Sequence, residues 1–132
     1  MLFRSVDREE LTRVVREAAA DAMAVDPSVV GDHSNLYDIG AQSLEFLDIV
    51  FKLEQRYDIE ITRGEMEGAA RGDLTEEEFA PNGVISEVGL ARLRELIPES
   101  AHKAVPGLRT SQILSLFTVQ TFVRIVEKKL AG

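Results

Sequence analysis

The chain has 132 residues, a formal charge of -8 and 45% hydrophobic residues, which suits one domain with a real core. That charge argues against nucleic acid and anionic membrane surfaces and in favour of basic protein partners, while the absence of cysteine excludes disulfides, a thiolate nucleophile and a cysteine-ligated metal. No apolar run approaches the length of a membrane span and Met1-Leu2-Phe3-Arg4 lacks a signal-peptide core, so the expected location is the cytoplasm.

Asp7-Arg8-Glu9-Glu10 reads as an N-cap with glutamate three positions on, and Leu11, Val14, Val15, Ala18, Ala22 and Val25 follow at helical spacing. This first amphipathic helix ends at Asp26-Pro27, because the residue before proline is pushed out of the helical region. Residues 27 to 42 then form a long loop pinned by Val29, Val30, Leu36 and Ile39. His33 stands alone in that loop and reads as a surface or capping histidine, not a ligand.

Gly40 is a turn residue free to take positive φ, and the segment after it predicts a helix beginning near Ser43. Glu45, Asp48, Lys52, Gln55 and Arg56 make one polar stripe, and Leu44, Leu47, Val50, Phe51, Leu53 and Tyr57 are expected to bury the rest. A serine at a helix start lies beside unpaired backbone N–H groups and the positive end of the helix dipole, which favours a phosphate ester on its oxygen. An ordinary capping role explains the same position. The hydroxyl is not activated: there is no Gly-x-Ser-x-Gly elbow, and His33 and His102 stand in no triad spacing. Another enzyme would have to modify it.

Asp38-Ile39-Gly40-Ala41-Gln42-Ser43-Leu44 resembles the acyl carrier protein motif Asp-Leu-Gly-Ala-Asp-Ser-Leu, and the resemblance continues through Glu45 to Val50 and Tyr57 to Ile61. It covers residues 5 to 61 and 110 to 130. In that family the serine carries 4'-phosphopantetheine, so the resemblance implies attachment at Ser43, with acyl groups carried as thioesters on the arm. It also implies an acyl-carrier-type four-helix bundle without catalysis of its own. Gln42 departs from the pattern: the family's aspartate there lies where the modifying transferase and its metal dock, and it caps the helix better.

Beyond Ile61 an insertion at about 62 to 109 separates the second helix from the third, within a single domain spanning 1 to 132. Thr75-Glu76-Glu77-Glu78 reads as an N-cap and first turn leading to Phe79, and Pro81-Asn82-Gly83 as a turn. Ser86 caps a helix bearing Val88, Leu90, Leu93, Leu96 and Ile97, with Arg92 and Arg94 outward, stopped by Pro98. Leu74-Thr75-Glu76-Glu77-Glu78-Phe79 after an acidic spacer is similar to the specialised carriers that handle very-long-chain fatty acids for lipid A. One expectation is therefore a lid: Val84, Ile85, Leu90, Leu93, Leu96 and Ile97 either cover a long acyl chain or simply extend the core. Pro106-Gly107 turns out of the insertion, Thr110 to Leu114 make a short helix, and Thr118 caps a last helix through Val119, Phe122, Val123, Val126 and Leu130, closed by Lys128, Lys129 and Gly132.

In the family, acids of the second helix dock on basic patches of enzymes, and the matching positions are Glu45, Asp48 and Glu54 beside Asp38 and Leu44. Implied partners are a phosphopantetheinyl transferase and ketoacyl synthase, reductase and acyltransferase type enzymes of fatty acid or lipid biosynthesis, met by a monomer. A solvated helix face explains the same acids. Two other functions fit the residues: an unmodified helical adaptor that binds a basic partner, and a carrier of aminoacyl or polyketide intermediates. A carboxylate enzyme built on Glu65, Glu67 and Glu76 to Glu78 ranks last, since nothing there signals the burial that raises a pKa. No metal site is expected, because neither histidine has a partner at ligand spacing.

Overall fold

The computed structural model describes residues 7–131; Met1 to Val6 and Gly132, with the expectations placed on them, lie outside those residues. The chain order is α1 (Arg8–Met23), a 3-10 turn (Pro27–Val29), α2 (Ser43–Tyr57), α3 (Arg63–Arg71), α4 (Glu76–Phe79), α5 (Glu87–Leu96), two 3-10 segments (Pro98–Lys103 and Thr110–Leu116) and α6 (Val119–Ala131). Among the described residues there are only isolated bridges and no strand, so the fold is an all-α carrier-type bundle with extra helices. No helix among them is long and apolar enough to cross a membrane.

Helix α1 starts where expected: the Asp7 carboxylate accepts the Glu9 N–H at 3.3 Å. It stops earlier than Pro27, at Ala24, whose left-handed backbone (φ 57) returns its N–H to the Ala20 and Asp21 carbonyls. Leu11, Val14, Val15 and Ala18 then face α2 and α6 in one buried core. Phe122 of α6 stands at its centre, stacked on Phe46 (ring centroids 6.2 Å) and meeting Phe117 edge-on (5.7 Å).

Helix α2 is rotated relative to the expected burial. Phe46, Ile49 and Leu53 are its buried residues, Val50 and Tyr57 are half-buried, and Leu44, Leu47 and Phe51 stand 77%, 67% and 55% exposed. The helix is apolar on two opposite sides, and only contact with α1 and α6 selects the inner one. In the loop before it, Val30 and Leu36 are fully buried and Ile39 partly so, whereas Val29 is half exposed and pins nothing.

The insertion is folded throughout. Residues 63 to 71, within the stretch expected to be an acidic spacer, form α3, because Thr62 Oγ1 accepts the Glu65 N–H (3.1 Å) and the Glu65 carboxylate accepts the Thr62 N–H (2.8 Å). Thr75 and Ser86 cap α4 and α5 as predicted. Ile85, Leu90, Leu93 and Ile97 bury with Phe79, Ala69 and Ala70 in a core continuous with the bundle, so most of the apolar set considered as a lid extends that core; Val88 faces solvent. Arg92 pairs with Asp73 and Glu95, and Arg94 donates to the Ala104 carbonyl (2.7 Å). Thr118 Oγ1 accepts the Thr121 N–H (3.2 Å) at the start of α6.

Candidate functional site

Ser43 is the first residue of α2, with an exposed side chain that no hydrogen bond engages among the described residues. The turn ahead of it needs Gly40 at φ 116, a value costly for residues with a Cβ, and it closes through Gly40 N–H to the Tyr37 carbonyl (3.0 Å) and Ala41 N–H to the Leu36 carbonyl (3.0 Å). Gln42 makes no side-chain cap; its own N–H donates to the Glu45 carboxylate at 2.8 Å. The first-turn N–H groups beside Ser43 therefore keep their capacity to face an anion, and a phosphate ester on the exposed hydroxyl fits this terminus.

Distant residues hold this loop. Asn35 accepts the Asp38 N–H (2.9 Å) and donates to Ser100 Oγ (3.0 Å) and the Ser115 carbonyl (2.8 Å). Lys103, at the end of the 3-10 segment that follows α5, reaches Asp38 Oδ1 at 2.6 Å and the Ser115 carbonyl at 3.1 Å, and lies 5.2 Å from the Tyr37 ring centroid. His33 Nδ1 meets Glu99 Oε2 at 2.9 Å on the same side, a surface contact. The insertion is thus a strap across the loop that presents Ser43, which no local feature of the sequence announces: Asp38 and Lys103 are 65 residues apart.

Ser43 opens onto a cavity of about 560 Å³. Its apolar wall is built from Phe46, Leu47 and Val50 of α2, Ile61, Met66 of α3, and Ile113, Leu114 and Phe117; Arg63, Glu67, Thr110 and Ser111 supply polar groups. Of the insertion, it is α3, through Arg63, Met66 and Glu67, that lines the cavity. A larger cavity, about 670 Å³, lies between α3 and α6, against Gly64, Gly68, Arg124 and Lys128, and does not include Ser43.

Each expected partner-binding acid already has a ligand inside the chain. Asp38 holds Lys103, Glu45 accepts the Gln42 N–H, Asp48 lies 3.2 Å from Lys52, and Glu54 accepts the Ile61 N–H at 2.8 Å. Asp21 and then Asp48 raise the Lys52 ammonium above its ordinary pKa. Leu44 projects into solvent beside Leu47 and Phe51, two exposed residues that the expected burial pattern hid. Their signal was present in the i, i+3, i+7 spacing of Leu44, Leu47 and Phe51.

The carboxylates considered for acid–base chemistry do not form a catalytic set. Lys129 at 2.7 Å, followed by the Thr62 N–H, lowers Glu65 to about 2, the opposite of a poised general acid. Glu67 lies within 3.5 Å of Arg63 and 3.4 Å of Arg71, Glu78 caps its own helix, and Glu76 and Glu77 are exposed.

Residues 13–70, from α1 to α3, match the family model described as the phosphopantetheine attachment site. The acyl carrier protein of Rubrobacter xylanophilus is 33% identical over 63 residues, covering 47% of this chain and 78% of that one. Those of Campylobacter concisus and Campylobacter curvus are each 35% identical over 54 residues, covering 40% of this chain and 70% of theirs. No solved structure matches the chain significantly. With a family model over the Ser43 loop and relatives aligned across most of their own length, the chain belongs to the acyl carrier protein family, as a carrier without catalysis of its own whose covalent cofactor is 4'-phosphopantetheine.

Proposed function

We propose that the arm is attached at Ser43 and that the chain is a specialised acyl carrier of fatty acid or lipid biosynthesis, one domain over 1 to 132 with its insertion at about 62 to 109. The observation that carries this reading is the exposed, unengaged Ser43 hydroxyl at the head of α2, opening directly onto an apolar cavity. The first-turn N–H groups and the helix dipole stabilise the phosphate end of the arm. The arm supplies the thiol that a chain without cysteine lacks, and holds cargo as a thioester.

Phe46, Val50, Ile61, Met66, Ile113 and Leu114 give the cargo an apolar shelter, and the part played by α3 in that wall supports a long fatty acyl chain, as does the similarity of residues 74 to 79 to carriers of very-long-chain acids. Asp38 in the loop before Ser43 and Leu44, Glu45, Asp48 and Glu54 along α2 form the docking face for a phosphopantetheinyl transferase and for synthase, reductase and acyltransferase type enzymes. The protein works as a monomer in the cytoplasm, and its formal charge of -8 keeps copies apart.

Intact mass after incubation with coenzyme A and a broad-specificity phosphopantetheinyl transferase tests the attachment. The parent gains one phosphopantetheine and Ser43→Ala gains none. An adduct on Ser43→Ala refutes the assignment. No adduct on either folded protein leaves the adaptor reading or a dedicated transferase, which Gln42→Asp separates by restoring the family's residue.

A further inference from the structure

Helix α3 divides two cavities. At about 100° per residue, Arg63, Met66 and Glu67 form the face toward Ser43, and Gly64, Gly68 and Gly72 form the opposite face, toward the cavity of about 670 Å³ against α6. That volume lies within the range of small-molecule sites. Gly72 ends the helix at φ 61, which accounts for it. Gly68 lies mid-helix, where glycine costs about 1 kcal/mol relative to alanine, yet a Cβ there would meet nothing within 4 Å. Gly64, one turn earlier, is as unconstrained, with Thr62 Oγ1 at 3.9 Å as its contact. Packing requires neither glycine; what the missing side chains preserve is the open space of the cavity.

The facing wall is cationic. Arg124, Lys128 and Lys129 of α6 line it, with Glu65 as the acid among them, and Glu65 is taken by Lys129 at 2.7 Å. Arg124 and Lys128, four residues apart and so on one face of α6, form no ion pair among the described residues. Arg124 is half-buried, and its hydrogen bond is a long one, to the Ala69 carbonyl at 3.5 Å. The acids whose charge reaches it, Glu99 and Glu127, lie against His33 (2.9 Å) and Arg8 (3.2 Å). Burial therefore lowers the guanidinium from its ordinary pKa, the mark of a cation drawn out of water without full compensation. The dipole at the end of α6 accounts for Lys128 and Lys129 in the last turn but not for Arg124.

We propose that this cavity binds a soluble phosphate monoester with a short apolar body. A phosphate dianion matches the two uncompensated cations, where a carboxylate would match one, and the guanidinium fork suits its oxygens. Ala69, Leu96 and Ile125 supply apolar wall for the body. The formal charge of -8 repels an anionic bilayer, which favours a soluble ligand over a membrane headgroup. The site is separate from the Ser43 cavity and does not depend on attachment there.

Isothermal titration calorimetry of the full chain with n-hexyl phosphate tests it, at about 50 mM salt and about pH 8, where the monoester is a dianion. Expected is one saturable site, about tenfold tighter for hexyl phosphate than for heptanoate, which carries one charge, or for inorganic phosphate, which lacks the apolar body. Arg124→Gln and Lys128→Gln each weaken binding about tenfold, and Gly68→Leu, which fills the space, abolishes it without loss of helical circular dichroism. Lys128 is exposed, so its variant decides the matter even where Arg124→Gln fails to fold. Arg13→Gln, which removes an exposed cation of α1, leaves binding unchanged. No saturable binding below about 10 mM, equal affinity for heptanoate, parent-like binding by Lys128→Gln or Gly68→Leu, or binding confined to vesicles containing phosphatidic acid overturns the proposal.

Discussion

Gly89→Ala sets two well-measured effects against each other inside the insertion. Alanine in a helix interior is favoured over glycine by about 1 kcal/mol. A Cβ at position 89, however, would lie 2.7 Å from the Phe79 carbonyl oxygen, 2.8 Å from Ile85 Cγ2 and 3.0 Å from Phe79 Cδ1. Neither neighbour can retreat easily: Phe79 and Ile85 are each 4% exposed, and the Phe79 carbonyl also accepts the Ser86 N–H at 2.8 Å. Overpacking of this kind costs about 1–3 kcal/mol, and the gain of about 1 kcal/mol leaves a net destabilisation of up to about 2 kcal/mol. In urea, with a slope of about 2 kcal/mol per molar, the midpoint falls by up to about 1 M. Gly68→Ala is the internal control, because a Cβ there meets nothing within 4 Å and the change raises stability by about 0.5–1 kcal/mol. Tyrosine fluorescence, which reports on the bundle through Tyr37 and Tyr57, and helical circular dichroism, followed together, also show whether the insertion unfolds with the bundle. Equal or greater stability for Gly89→Ala would refute the packing argument.

Lys103→Met removes the ion pair to Asp38, the hydrogen bond to the Ser115 carbonyl and the contact with the Tyr37 ring, together worth about 1–2 kcal/mol. Amide exchange of residues 35 to 41 should accelerate about tenfold, and unchanged protection would show that the insertion does not hold the loop. The pH dependence of stability has a defined contribution from Glu65, which Lys129 and the Thr62 N–H hold at about 2 against an ordinary value of 4.5. A depressed carboxylate stabilises the folded state above its unfolded pKa, and this contribution is lost as pH falls from 4.5 toward 2. Because both side chains are partly exposed, it amounts to about 1 kcal/mol or less. Urea titrations of Glu65→Gln should give a shallower fall in that window; a slope equal to the parent's would remove Glu65 from the account.

The motif loop, the three helix caps at Asp7, Thr75 and Ser86, and the start of α2 at Ser43 were all legible before any coordinates, because capping and turn formation are local chemistry among residues within four positions of one another. Helix α3 was missed although Thr62 and Glu65 form a proper capping box, since three glycines in residues 63 to 72 lower helix propensity and packing on α5 and α6 outweighs it.

By itself, the sequence determined the family motif, the position of Ser43 at a helix head and the all-α class. Only the tertiary structure decided which side of α2 is buried. A helix carrying Phe46, Ile49 and Leu53 on one side and Leu44, Leu47 and Phe51 on the other has no preference until α1 and α6 cover one of them. Tertiary structure alone also brought Lys103 to Asp38 and Met66 to the Ser43 cavity, contacts between residues far apart in sequence that depend on chain closure.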